Sequence, residues 1–328
     1  MSATFPIGRL FLVGVPGTAL DSESRALLQD EEVGGVILFA HNLVAPDQVR
    51  DLTREIRVTA GRPVMIAVDQ EGGPVSRLPS PPYPRYPAPA ELGGRGVEEE
   101  VEAVASEMAT ALAGLGIDTN LAPVLDVVDD PHSAFIADRS FGGDPERVTR
   151  LGRAFVRGCE RAGVLPCVKH FPGHGSTVDD SHQTLPRVDA AEATLQARDL
   201  APFRALIERG GTLVMPAHVR YSALDPILPA TLSERILRGW LRDELGFAGV
   251  VISDDMEMRA ITDHFRPADI VRRYWSAGGD LVLVGHDQRY ARALMAAAEE
   301  AIADDDLDVA LLEESLQRVQ ALQRPTWS

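Results

Sequence analysis

The chain has 328 residues, 45% hydrophobic and 25% charged, an ordinary composition for a globular protein that excludes a disordered or fibrous one. Its 49 acidic residues outweigh 32 basic ones, for a formal charge of −17, so a phosphate backbone is not the expected partner. Only two cysteines, Cys159 and Cys167, are present, and a disulfide framework is not expected.

Residues Met1 to Pro6 lack the basic and long apolar regions of a signal peptide, and no apolar run approaches the length that spans a bilayer. The expected address is the cytoplasm, with no membrane partner. Short apolar runs then recur along the chain. They predict strands at Leu10–Val15, Gly35–Phe39, Val64–Val68, Thr119–Val124, Leu165–Val168, Leu213–Met215, Val250–Ile252 and Leu281–Val284. Amphipathic stretches lie between them, at Val97–Leu115, Arg147–Ala162, Ala190–Arg209 and Ser233–Leu245.

Strands that are apolar on both faces, alternating with helices, imply a parallel sheet covered by helices. Eight such units in a chain of this length predict an α/β fold, a single-domain (β/α)8 barrel of the TIM type with some irregularity, spanning residues 1–328. An open doubly wound sheet is the alternative, but no G-x-G-x-x-G follows the first strand. The segment Leu78–Leu92 holds six prolines and reads as a long surface loop after the third strand. The tail from Asp304 to Gln323 reads as an acidic and then amphipathic helix.

Polar residues gather just past these runs: Asn42, Asp69, Asp126, Lys169-His170, His218 and Asp254. Groups at the C-terminal ends of parallel strands are what a barrel active site requires. The densest collection is Lys169-His170-Phe171-Pro172-Gly173-His174-Gly175, running on to Asp180-Ser181-His182 and Pro186. Two glycines and two prolines forbid a regular helix there, so the side chains ride on a loop that starts where the strand ends. A metal site on His170 and His174 would need helical geometry that Pro172-Gly173 opposes. A polar loop with incidental histidines is the bland reading. Acid/base chemistry is favoured, because Asp180 and His182 lie two apart in an extended segment and point the same way.

The stretch Lys169–Pro186 resembles the signature of the glycoside hydrolase family 3 β-N-acetylglucosaminidases: KHFPGHG, a short variable run, then D-S-H and a nearby proline. The resemblance extends over nearly the whole chain. It takes in Gly34–Phe39, Asp69-Gln70-Glu71-Gly72-Gly73 followed by Arg77, Ala122–Val127, Asp138–Phe141, Met215–His218, Pro229–Ser233 and Ser253–Met258. Pro74, Ser176 and Pro216 depart from it, standing where arginine, aspartate and threonine or serine are common.

The resemblance implies a retaining exo-β-N-acetylglucosaminidase acting on a carbohydrate, with muropeptide fragments as substrate in cell-wall recycling. It implies Asp254 as the nucleophile, the first of a pair with Asp255. His182 is then the acid/base, and Asp180 orients it. Asp69, Arg77, Arg139, Lys169 and His170 contact the sugar, and no cofactor or metal is required. Asp126 and His218 support these groups from behind. Three rival readings remain: Lys169 as a Schiff-base lysine, Asp254 as a mere helix cap, and a sugar-binding barrel without turnover. A β-glucosidase of the same family is a further alternative. Oligomeric state stays open, with a monomer acceptable.

Overall fold

The computed structural model describes residues 5–128, 134–177, 181, 183–208 and 212–322. Eight strands form one parallel sheet: β1 Phe11–Gly14, β2 Gly35–Leu38, β3 Met65–Val68, β4 Thr119–Asn120, β5 Leu165–Phe171, β6 Leu213–Pro216, β7 Ile252–Asp255 and β8 Leu281–Val284. They pair in the order β7-β8-β1-β2-β3-β4-β5-β6. The ends of that series meet where Val214 bridges Val251 and its N–H donates to the Val250 carbonyl at 3.2 Å. This closes the barrel expected from the alternating pattern.

Every residue of β1, β2, β3, β5, β6 and β8 is buried. A strand covered by helices outside and by other strands' side chains inside has no wet face, which is why these segments read as apolar runs, the Lys169-His170 end of β5 apart. Small residues set the close approaches. A Cβ on Gly158 would lie 2.6 Å from the Ala105 Cβ, and helices Glu98–Gly114 and Pro145–Arg161 pack together across that point. Arg157 and Glu102 join the same two helices with a 2.7 Å ion pair.

Three strands differ by more than one residue from the bounds the sequence suggests. The fourth strand is regular only over Thr119–Asn120; beyond it the pairing with β5 shifts register, with Cys167 N–H donating to the Ala122 carbonyl and Lys169 N–H to the Pro123 carbonyl before an isolated bridge at Val124. The fifth runs on through Lys169 and His170, so these two project from a strand rather than a loop. The seventh includes Asp254 and Asp255. The proline-rich stretch is also shorter as a loop than expected, since a helix, Pro89–Arg95, starts inside it with proline at its first turn, where a missing N–H costs nothing.

A second sheet was not foreseen. Arg187–Val188 pairs parallel with Arg220–Tyr221, which pairs antiparallel with Asp225–Pro229. Its Tyr221 hydroxyl donates to the Gly173 carbonyl at 2.7 Å, tying this sheet to the loop after β5. Cys159 and Cys167 are buried free thiols. Among the described residues, no helix is long and apolar enough to cross a membrane.

Candidate active site

The turn after β3 is built first by Gln70. Its side-chain oxygen accepts from the Arg77 and Leu78 N–H groups at 2.8 and 3.0 Å, and its own backbone is paired with the Asn120 amide. Gly72 takes φ +98, and a Cβ there would meet the Pro87 carbonyl at 2.4 Å, so only glycine fits. The folded turn aims Asp69, Glu71 and Arg77 into a cavity of about 460 Å³ at the C-terminal ends of the strands.

Glu71 is the centre of that wall. Arg139 donates to both its oxygens, through Nη2 at 2.8 Å and Nε at 2.9 Å, and Lys169 Nζ lies 2.6 Å from Glu71 Oε1 and 2.6 Å from Asp69 Oδ1. Burial raises the Glu71 carboxyl, but the two cations beside it hold it well below the usual carboxylate range. Burial likewise lowers the Lys169 ammonium, and Asp69 and Glu71 more than offset this, leaving it above its ordinary value. Arg77 also lines the cavity, and its buried Nε has no hydrogen-bond partner among the described residues.

His170 and His174 enter from the end of β5. Both are organised by Asp126, whose fully buried carboxylate accepts from His170 Nδ1 at 2.7 Å, His170 N at 3.2 Å and His174 N at 2.6 Å. Burial opposes ionisation of Asp126, yet the adjacent His170 and His174 bring its carboxyl below the ordinary value. His174 is pushed down to about 4, by burial first and then by His170. Its ring therefore carries one proton at neutral pH and bridges two hydroxyls, Thr177 Oγ1 at 2.8 Å and Ser181 Oγ at 3.2 Å.

Across the cavity stand Asp254, Asp255 and Glu257. Asp254 Oδ1 accepts the Asp255 N–H at 2.8 Å. It does not cap the next helix, Arg259–Thr262, whose N-cap is Met258. The Asp255 carboxyl accepts from Glu257 N at 3.0 Å and Gly285 N at 3.2 Å. Glu257 accepts from His286 N at 2.5 Å and Asp287 N at 2.7 Å. Asp255 at the end of β7 and Glu257 just after it thus grip three consecutive N–H groups after β8. The His286 ring packs against Phe39 at a tilt of 32°, with centroids 4.3 Å apart.

The structure brings Asp69, Arg77, Arg139, Lys169, His170 and Asp254 to one cavity. Asp180 and His182 lie outside the described residues. Asn42, Asp126 and His218 do not line the cavity. Asn42 donates to the Val15 and Gly17 carbonyls. His218 is wholly buried, with Thr231 Oγ1 2.7 Å from Nδ1 and the Asp255 carbonyl 3.1 Å from Nε2. A carbonyl only accepts, so Nε2 carries a proton and donates it there. Glu71 was missed as a site residue. Its signal was present: a carboxylate two residues after Asp69, in a glycine turn at a strand end.

The model of the glycosyl hydrolase family 3 N terminal domain matches residues 6–322. A β-hexosaminidase of Alkalilimnicola ehrlichii is 42% identical over 279 residues, covering 83% of this chain and 79% of its own. A glycoside hydrolase family 3 β-N-acetylglucosaminidase from Paenibacillus superposes with a TM-score of 0.95 at 39% identity; the match covers 98% of this chain and 62% of that longer one. The β-N-acetylhexosaminidase of Beutenbergia cavernae gives a TM-score of 0.90 at 31% identity, covering 98% of each.

Proposed function

This chain belongs to glycosyl hydrolase family 3, and we propose that it is a retaining exo-β-N-acetylglucosaminidase, its barrel a single catalytic domain. One observation carries the reading. Asp254 faces, across one cavity, a wall of two arginines, a lysine, two carboxylates and a histidine, the donors and acceptors that grip ring hydroxyls.

In this reading Asp254 attacks the anomeric carbon while His182, oriented by Asp180, protonates the leaving oxygen. The covalent glycosyl ester is then hydrolysed by water that His182 deprotonates. Asp69, Arg77, Arg139, Lys169 and His170 hold the sugar through both steps. Two carboxylates clasping Lys169 keep its amine protonated, which counts against a Schiff-base role because that chemistry needs the free amine. Terminal GlcNAc of muropeptide fragments, in the cytoplasm, is the proposed substrate.

The experiment is hydrolysis of a chromogenic β-N-acetylglucosaminide beside the matching glucoside, with the product anomer followed by NMR. Preference for the 2-acetamido sugar and a β-configured first product support the proposal. Equal kcat/KM on both would make it a β-glucosidase of broad specificity, and binding without turnover would make it a sugar-binding barrel. Labelling by a 2-deoxy-2-fluoro glycosyl reagent should fall on Asp254; label on Asp255 would reassign the nucleophile.

A further inference from the structure

The cavity has two unlike sides. Its charged grips, Asp69, Glu71, Arg77, Arg139, Lys169 and His170, come from β3 to β5 and the segments that follow them. Asp254, His286 and Phe39 come from β7, β8 and β2, round the other part of the ring. Phe39 follows β2 directly, and His286 follows β8 by two residues. Their rings pack 4.3 Å apart, and the His41 ring lies nearly parallel to Phe39 with centroids 6.0 Å apart.

The backbone fixes this pair. Glu257 binds the N–H groups of His286 and Asp287, and Asp287 caps the helix Gln288–Ala303 that follows. Gly285 leaves room for the phenyl ring, since a Cβ there would lie 3.0 Å from Phe39 Cζ and 2.5 Å from Asp255 Oδ2. The imidazole itself is uncommitted. His286 is exposed, and its ring nitrogens have no hydrogen-bond partner among the described residues.

A fixed pair of rings with free nitrogens at its edge suits a pyranose, which offers C–H groups to an aromatic face and hydroxyls to a donor or acceptor beside it. A terminal sugar whose hydroxyls are held by the β3–β5 side presents its anomeric carbon to Asp254. The group bonded to that carbon then extends toward the β7–β8 side, where the exposed His286 leaves the cavity open to solvent.

We propose that Phe39 and His286 form a platform for the leaving-group sugar, the ring whose bond to the terminal residue is broken. The inference deepens the glycosidase reading and rests on Asp254 being its nucleophile. The preferred substrate is then one with a second pyranose ring, and contacts to that ring, remote from the reacting bond, speed its cleavage.

The test compares wild type, His286→Ala, His286→Phe and Phe39→Leu on two substrates. One is the β-1,4-linked N-acetylglucosamine disaccharide; the other is N-acetylglucosaminyl β-fluoride, whose leaving atom reaches no platform. His286→Ala and Phe39→Leu should each lose at least ~10-fold more kcat/KM on the disaccharide than on the fluoride, about 1.4 kcal/mol of barrier. His286→Phe, which keeps a ring against Phe39, should recover most of that difference. The same two variants should transfer less of the glycosyl group to an added sugar acceptor relative to water, because the acceptor takes the leaving group's place. Equal losses on disaccharide and fluoride would overturn the platform and leave the glycosidase standing. Losses that follow the length of the 2-N-acyl chain rather than the leaving group would also overturn it, and would put the acyl group against these rings. A wild type that cleaves neither substrate would remove the glycosidase reading and the platform with it. Because His286 is exposed, its two variants remain decisive even if melting temperatures show Phe39→Leu to be poorly folded.

Discussion

Arg139 grips Glu71 with two parallel hydrogen bonds, 2.8 and 2.9 Å long, across a sequence separation of 68 residues. Lys169 joins the same carboxylate from a third element. One acidic side chain thereby pairs with two buried cations that face the cavity, Lys169 being held by Asp69 as well. Removing it strands charge rather than merely deleting a contact.

Glu71→Ala should lower stability by about 3–5 kcal/mol, the cost of leaving buried charge without its partner. Urea denaturation at neutral pH measures it. The folded Glu71 pKa lies below the unfolded one, so its contribution is complete above pH ~4.5 and fades as the pH falls. The gap between wild type and variant should narrow on acidification, and a gap that widens would contradict the assignment.

Asp255 behaves in the opposite sense. Burial first, and then Glu257, push its carboxyl up to about 7. The folded chain holds that proton where the unfolded chain has released it. The resulting stability is present below pH ~4 and is lost as pH rises through 7. Asp255→Asn should accordingly be worth more at pH 8 than at pH 5, by roughly 2–4 kcal/mol when each pKa unit is ~1.4 kcal/mol. Urea curves at the two pH values decide this, and a constant difference would refute it.

Arg77 should separate binding from folding. Its Nε has no hydrogen-bond partner among the described residues, so Arg77→Ala removes little that holds the fold together. Stability should change by less than about 1 kcal/mol, while kcat/KM falls roughly 10–100-fold through a lost charged hydrogen bond. A large fall in melting temperature would instead make Arg77 a structural residue.

Gly175→Ala places a methyl group against the Val127 backbone, which has no flexible end to swing away. The turn carrying His174 and Thr177 must shift. The expectation is a loss of about 1–3 kcal/mol in stability and a larger proportional loss in kcat than in KM. Unchanged kinetics would show that the turn can yield without disturbing the site.

All eight strands were legible because each contains or adjoins a short apolar run, a pattern that burial imposes directly on composition. Their ends were less legible. Lys169 and His170 look like a loop since charge normally marks the surface, yet both are buried inside β5 and compensated by Asp69, Glu71 and Asp126. That compensation comes from elements far away in sequence, which no local window contains. The same holds for Glu71, whose importance lies in Arg139 and Lys169 converging on it. Asp126 and His218 were read as supports, and each holds a neighbour in place from outside the cavity.

The ring of strands is unevenly sewn. Between β6 and β7, a single isolated bridge at Val214 and Val251 stands where other neighbours share a longer ladder. Above that gap, the His218 imidazole reaches from just past one strand to the Asp255 carbonyl of the other, acting as a side-chain stitch where backbone rungs are few. In native-state hydrogen exchange, amides along this seam should open at lower free energy than those of β2 and β3. Asp254, the proposed nucleophile, is therefore mounted on the edge where the barrel is expected to part first, and one buried histidine helps to keep that edge shut.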